Sequence, residues 1–199
     1  MAEKVLLIFI RNPELGKVKT RLAATIGNGN ALKVYEELLR YTQQITENLP
    51  FRKVLYYADE VLEKDRWPNN VFGKKLQTSG DLGQKMLSAF TETFASGAEQ
   101  VVLIGSDCYE LTSEILEEAF RQLENHDAVI GPAADGGYYL VGFSRLNPGV
   151  FQNKTWSTAT VFQETIQDLK QAGYSYFTLP ELNDVDEEKD LGTLRHLLT

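Results

Sequence analysis

The sequence predicts a single α/β domain, residues 1–199, built as a three-layer α/β/α sandwich around a mainly parallel mixed sheet. Three observations carry this. Strand-like apolar runs alternate with helix-like segments along almost the whole chain, the pattern of a parallel sheet covered on both faces. Two runs, Lys4–Ile10 and Val101–Ile104, are dominated by branched apolar residues, as strands buried on both faces are. Finally, 199 residues with 43% apolar and 24% charged composition suit one core, and no repeat, low-complexity tract or long linker divides it.

Composition also narrows the function classes. A formal net charge of −8 argues against a general nucleic-acid binder held by phosphate contacts. One nucleotide can still be bound if a few cations are concentrated in one loop. Cys108 is the sole cysteine, which excludes an internal disulfide and a cysteine-rich metal cage. With only His126 and His196, any metal would be a hard cation on oxygen ligands. The Val5–Ile10 run is too short for a membrane span and lacks a signal peptide's layout, so a cytoplasmic location is expected.

In chain order, Lys4–Ile10 reads as the first buried strand. The following loop places Arg11, Lys17, Lys19 and Arg21 within eleven residues and leads toward a helix. Such a loop reads either as a phosphate cradle, helped by backbone N–H groups, or as a solvated basic turn. It has neither the Walker spacing nor the dinucleotide-binding glycine pattern. Ala31, Val34, Tyr35, Leu38, Leu39, Ile45 and Leu49 mark a long packing helix with no chemistry assigned. Lys53–Ala58 reads as a second strand. Val61–Asn70 is a polar connection with a short helical piece and a Trp67-Pro68 packing anchor, and Val71–Gln77 is a weak edge strand. Asp81 then caps a helix through about Ala95 that turns Leu82, Met86, Ala89, Phe90 and Phe94 inward. The flanking Gly80 and Gly83 exceed what a cap needs and would let a ligand approach the backbone.

The Val101 strand runs into Gly105-Ser106-Asp107, which delivers a carboxylate to the carboxyl edge of the sheet, where open α/β sheets bind ligands. Asp107 reads as a metal ligand or as a turn residue. Thr112 caps a helix with Ile115, Leu116, Ala119, Phe120 and Leu123 facing the core, and Asp127–Gly131 is another short strand. Asp135-Gly136-Gly137 between two apolar runs is a hairpin turn, which makes Tyr138–Phe143 an added antiparallel strand. Asp135 is a candidate to face a pocket from that turn. Trp156-Ser157-Thr158 precedes a helix closed by Gly173, Tyr174–Leu179 is the last strand, and a final helix carries Leu191, Leu194, Leu197 and Leu198. Asp186 reads as that helix's N-cap. Asp184 and Asp186 also alternate, so in an extended segment both face one way and form a metal platform.

The order K-x-K-T-R-L, G-D-L-G, I-G-S-D-C, D-G-G-Y, W-S-T and D-V-D-x-x-x-D-L resembles the nucleotide-diphospho-sugar transferase superfamily, which has the Rossmann-like glycosyltransferase-A fold. More narrowly, the chain looks like a bacterial glycosyltransferase-like family associated with radical-SAM and selenium-domain proteins. The K-T-R-L, G-D-L-G and D-G-G elements are similar to those of 2-phospho-L-lactate guanylyltransferases. The resemblance implies Asp107 and Asp186, with Asp184 as the alternative, as ligands of Mg²⁺ or Mn²⁺. It implies nucleotide binding by Arg11, Lys17, Lys19, Thr20 and Arg21, and by Gly80, Asp81 and Gly83. It places Asp135, Gly136 and Gly137, with the adjoining Tyr138 and Trp156, on the acceptor side. Asp107, Lys19, Arg21 and Asp135 are then the catalytic set. Tyr109 stands where members usually carry Pro, and Glu187 where Thr usually follows.

The expected activity is metal-dependent nucleotidyl transfer from a nucleoside triphosphate to a small phosphorylated acceptor. Glycosyl transfer from a nucleotide sugar is the alternative enzyme, and a non-catalytic nucleotide-binding protein the alternative of another class. No nucleic-acid partner and no membrane span are expected.

Overall fold

The computed structural model describes residues 2–198. The elements in order are β1 (Lys4–Ile10), α1 (Thr20–Ile26), α2 (Asn28–Thr46), β2 (Arg52–Tyr57), β3 (Phe72–Leu76), α3 (Leu82–Ala95), β4 (Gln100–Ile104), α4 (Ser113–Gln122), β5 (Ala128–Pro132), β6 (Tyr138–Phe143), α5 (Val161–Gln171) and β7 (Tyr176–Thr178). Short 3-10 turns cover Pro148–Phe151 and Glu188–Leu198.

The strands form one seven-stranded sheet in the order β3-β2-β1-β4-β6-β5-β7. Every pairing is parallel except the two made by β6, which lies antiparallel between β4 and β5. This is the three-layer α/β/α sandwich with a mainly parallel mixed sheet that the strand–helix alternation predicts. The two-residue period of a strand decides how the layers form. Leu6, Ile8, Val102 and Ile104 point into one core with α1, α2 and α4. Val5, Leu7, Val101 and Leu103 point into the other with α3 and α5. Both faces are therefore dry, and the apolar runs of β1 and β4 are the sequence trace of that burial.

Two expected elements differ. The Val61–Asn70 connection contains no helix. It is held instead by Asp65, which accepts from Tyr57 Oη, from Lys74 Nζ at 2.7 Å and from the Trp67 amide at 3.0 Å. The C-terminal apolar segment is 3-10 rather than α and is broken at Gly192, whose φ of 47° and ψ of −121° no helix allows. Leu191 and Leu194 still reach the core, so the apolar spacing survives the change of helix type.

Parallel strands bring their carboxyl ends to one edge. Ile10 and Ile104 open there into the basic loop and into Gly105-Ser106-Asp107. Beyond β7 the chain continues in extended form along the same edge. Leu182 donates to the Pro132 carbonyl at the end of β5 and accepts from the Ala134 amide just beyond it, and the Val185 amide donates to the Asp107 carbonyl at 2.9 Å. That bond fastens the Asp184–Asp186 segment to the exit of β4.

Candidate functional site at the carboxyl edge of the sheet

A cleft of about 680 Å³ opens along the carboxyl ends of β1, β2, β3 and β4. Its volume is that of a small-molecule site. A side pocket of about 300 Å³ adjoins it and shares Arg21, Asp184 and Asp186 with it.

The centre of the site is Lys19. Its Nζ stands 2.7 Å from Asp107 Oδ1 and 3.0 Å from Asp186 Oδ1, with only 5% of the side chain exposed. Burial pulls the lysine pKa down, but Asp107 and Asp186 together overcome it, and the net shift is upward. Arg21 donates to the other oxygen of Asp186. Lys19 holds a left-handed backbone, φ 48° and ψ 47°, immediately before α1. That conformation is uncommon for a residue with a Cβ and turns the side chain back toward the strand ends.

Asp186 is not the N-cap of the last helical segment. That segment begins at Glu188, and Asp190 in its first turn reaches back instead, its Oδ2 accepting from the amides of Asp186 at 3.2 Å and Glu187 at 2.8 Å. The Asp186 carboxylate is left to the two cations. Val185 is buried between Asp184 and Asp186, and both acids line the cleft, as the alternation predicts. Burial, followed by the neighbouring Asp107 charge, raises the Asp184 carboxyl to about 7.

The other expected site residues divide into two groups. Arg11, Lys17, Thr20 and Arg21 line the cleft with Lys19, and Tyr138 forms part of its apolar wall. Lys17 is turned to Glu14, 2.6 Å away, and does not reach the carboxylates. Asp135 lines the side pocket, its Oδ1 accepting from the Gly137 amide at 2.9 Å. Gly136 has φ 90°, and a Cβ there would lie 2.1 Å from the Ala159 carbonyl, so the turn admits only glycine.

In the Gly80-Asp81-Gly83 segment the expected cap is present, and none of the three residues is among those lining the cleft. Asp81 and Gln84 close a capping box, with Gln84 N to Asp81 Oδ1 at 2.8 Å and Asp81 N to Gln84 Oε1 at 3.1 Å. A Cβ on Gly80 would strike the Gln84 carboxamide at 2.1 Å, and one on Gly83 the Phe151 carbonyl and Trp156 ring at about 2.5 Å. Capping and close packing account for all three residues and for Trp156. The cleft wall here consists of Leu82, Lys85 and Met86, with Ser157 opposite.

Tyr35, which lines the cleft, and Asn12, which braces the loop after β1, carried no functional signal in the sequence. The buried Tyr35 Oη accepts from the Arg11 amide at 2.8 Å and donates to the Arg11 carbonyl at 3.0 Å, pinning the chain as it leaves β1. Burial and the nearby Asp107 push its phenol up to about 12. Asn12, 4% exposed, bridges to the β2 exit through the Glu60 carbonyl at 2.9 Å and the Asp59 amide at 3.2 Å. Tyr109 faces away from the cleft. Its ring packs on Tyr41 with centroids 4.4 Å apart and its hydroxyl reaches Glu37 at 3.3 Å.

Asp107, Asp184 and Asp186 offer the oxygen chemistry that Mg²⁺ or Mn²⁺ needs. Two half-open carboxylates already share one cation, the Lys19 ammonium. Among the described residues no three acidic, thiol or imidazole side chains form a ready-made metal cage. The donor set is of the type a hard divalent cation takes, and the Lys19 ammonium lies between Asp107 and Asp186.

Comparisons with known proteins agree with the fold. A candidate nucleotide-diphospho-sugar transferase from Desulfovibrio desulfuricans G20 superposes with a TM-score of 0.89 at 35% identity, over 98% of this chain and 87% of that one. A cytidylyltransferase from Leptospira borgpetersenii gives a TM-score of 0.57 at 16% identity, over 98% of this chain and 86% of its own. The inositol-1-phosphate CTP transferase from T. maritima gives a TM-score of 0.57 at 13% identity, over 100% and 96% of the two chains. A search of curated proteins returned no match. No helix among the described residues is long and apolar enough to cross a membrane. Residues 41–158 match the family described as "Uncharacterized protein conserved in bacteria (DUF2064)", and the chain belongs to that family, with the fold of the nucleotide-diphospho-sugar transferases.

Proposed function

We propose that the chain is a metal-dependent transferase that binds a nucleoside triphosphate along the cleft and passes its nucleotidyl group to a small phosphorylated acceptor. The observation carrying this is the convergence of Lys19 and Arg21 on Asp107 and Asp186 in a nucleotide-sized cleft that Arg11 and Lys17 also line, in a protein of net charge −8. The cations supply the positive field a triphosphate needs and hold its phosphates in line. Asp107 and Asp186, with Asp184 beside them, would hold Mg²⁺ or Mn²⁺ once Lys19 turns to the phosphates. Such an ion, when bound, neutralises the charge that develops on phosphate oxygens during transfer. An ionised phosphate acceptor needs no general base, and none is assigned. Asp135 and Lys189 in the side pocket contact the acceptor next to Arg21. Gly80, Asp81 and Gly83 support the base end through Leu82 and Met86 rather than by touching the nucleotide, and Trp156 supports Gly83 from below.

Glycosyl transfer from a nucleotide sugar is the second reading, favoured by the 35% identity to the Desulfovibrio protein. Asp135 would then face the sugar or its acceptor. Thermal-shift measurements with the nucleoside triphosphates and with nucleotide sugars, each with and without Mg²⁺ or Mn²⁺, separate the two. Stabilisation by a triphosphate and metal, with none by nucleotide sugars, is expected. The reverse pattern overturns the nucleotidyl reading. Binding unaffected by both EDTA and Asp107→Asn overturns the metal.

A further inference from the structure

At the end of the cleft away from the carboxylates, Gln77 sits just past β3. Its Nε2 donates to the Tyr56 carbonyl at 3.0 Å and to the Ile10 carbonyl at 3.3 Å, at the last turns of β2 and β1. Carbonyl oxygens only accept, so these two contacts decide the amide orientation. The nitrogen faces the strands and Oε1 is left over. Among the described residues none donates to Oε1, and Gln77 lines the cleft beside Phe9, Ala58, Leu82 and Met86. The backbone amide of Gln77 is also fixed, donating to the Tyr57 carbonyl at 2.9 Å. The acceptor is therefore held at both the main chain and the side chain, in a wall where the apolar Phe9, Ala58, Leu82 and Met86 are joined by Asp59 and Lys85.

Position along the sheet says what meets it. Asp107 follows β4 and Gln77 follows β3, three strand spacings away, or about 14 Å at ~4.8 Å each. A nucleotide with phosphates at Asp107 and Lys19 and its nucleoside laid along the strand ends brings a base edge toward Gln77. Leu82 and Met86 offer an apolar surface to the base ring.

We propose that Gln77 Oε1 is the specificity-determining acceptor that selects a base bearing an exocyclic amino group over its keto counterpart. This rests on the nucleotide-binding reading above. An amino group satisfies the preset oxygen, whereas a keto oxygen sets two acceptors against each other and leaves Oε1 unpaired. The alternative orientation, with the amide turned to serve a keto base, breaks both strand-end hydrogen bonds.

Isothermal titration with CTP, UTP, ATP and ITP in the presence of Mg²⁺ tests this on the wild-type chain. Within whichever size of base binds, the amino member of the pair is expected to bind about tenfold more tightly or better. Gln77→Met keeps the length and removes the acceptor, and it is expected to bring that ratio close to one. Equal affinities for CTP and UTP, and for ATP and ITP, overturn the proposal and leave nucleotide binding standing. A preference that persists in a folded Gln77→Met also overturns it. Failure of every nucleotide to bind overturns the nucleotide reading and this proposal together. If Gln77→Met does not fold, the wild-type ratios decide alone.

Discussion

Replacing Lys19 by Met keeps most of the aliphatic stem and deletes the ammonium that spans Asp107 and Asp186. At an effective dielectric near 20, a charge pair about 4 Å apart is worth ~4 kcal/mol before desolvation is subtracted. Lys19 makes two such pairs, and its own burial offsets much of the gain. Breaking a buried pair by removing one partner typically costs 3–5 kcal/mol, but Asp107 is 45% and Asp186 28% exposed, so water screens part of the loss. The expected net destabilisation is about 2 kcal/mol, read by urea unfolding at pH 8 in EDTA. Two controls follow from the same physics. Adding millimolar Mn²⁺ is expected to restore more stability to Lys19→Met than to wild type, because the carboxylates now lack their internal cation. Lys19→Arg is expected to lose less than Lys19→Met, since it retains the charge. A change below ~0.5 kcal/mol for Lys19→Met in EDTA, or equal Mn²⁺ responses from both proteins, would refute the idea that Lys19 neutralises this carboxylate pair.

Asp65→Ala leaves the buried Tyr57 hydroxyl and the Lys74 ammonium, 7% exposed, without their shared acceptor; a loss of about 3 kcal/mol is expected in denaturant melts, with Asp65→Asn losing less. Gly136→Ala drives a methyl group into the Ala159 carbonyl and adds strain at φ 90°, so a loss of at least ~2 kcal/mol is expected, checked by thermal unfolding. Asp127 ties β5 to β7 through the Ser175 amide at 2.9 Å and hydroxyl at 2.8 Å, and Arg145 stands at 3.1 Å. Burial alone would raise this carboxyl, but those partners hold it below its ordinary 3.8. Its contribution is therefore present above about pH 4 and fades as the pH falls below that. Asp127→Asn is expected to cost about 1 kcal/mol at pH 7 and close to nothing at pH 2.5; an equal cost at both pH values would sink this account.

The fold was legible because its strands are buried on both faces. Val101–Ile104 could be nothing polar-faced, and that same burial meant the next carboxylate, Asp107, had to emerge at the sheet's edge. The period-two relation of Asp184 and Asp186 likewise carried directly into shared cleft lining, with Val185 buried between them. Glycine was harder to read. Gly83 and a ligand-facing glycine look alike in sequence, because both mark a close approach; only the structure shows that Phe151 and Trp156 are what come close. Tyr35, Asn12 and Gln77 act on strand-end backbone from distant positions, and such pairings of side chain with remote main chain leave no local pattern. The change from α to 3-10 after Glu188 was hidden for a related reason: apolar residues three apart suit both helix types, and Gly192 breaks the segment without disturbing that spacing. Tyr109, the evident departure from the family pattern, proves to be a packing partner of Tyr41 on α2.

The lone antiparallel strand, β6, has a consequence for redesign. Because it runs against its neighbours, the turn that introduces it lies on the same edge as the cleft and faces the Asp184–Asp186 segment. Just past that turn Leu140 is paired on two sides, with Ile104 of β4 and with Gly131 of β5, and the β5–β6 ladder shifts register between Gly131 and Pro132. A one-residue insertion in β6 itself would exchange the two faces of a strand whose side chains serve both cores. The strand behind the side pocket is therefore of constant length. The shape of the side pocket is then set by the side chains at Ala134, Asp135 and Lys189 rather than by the length of β6.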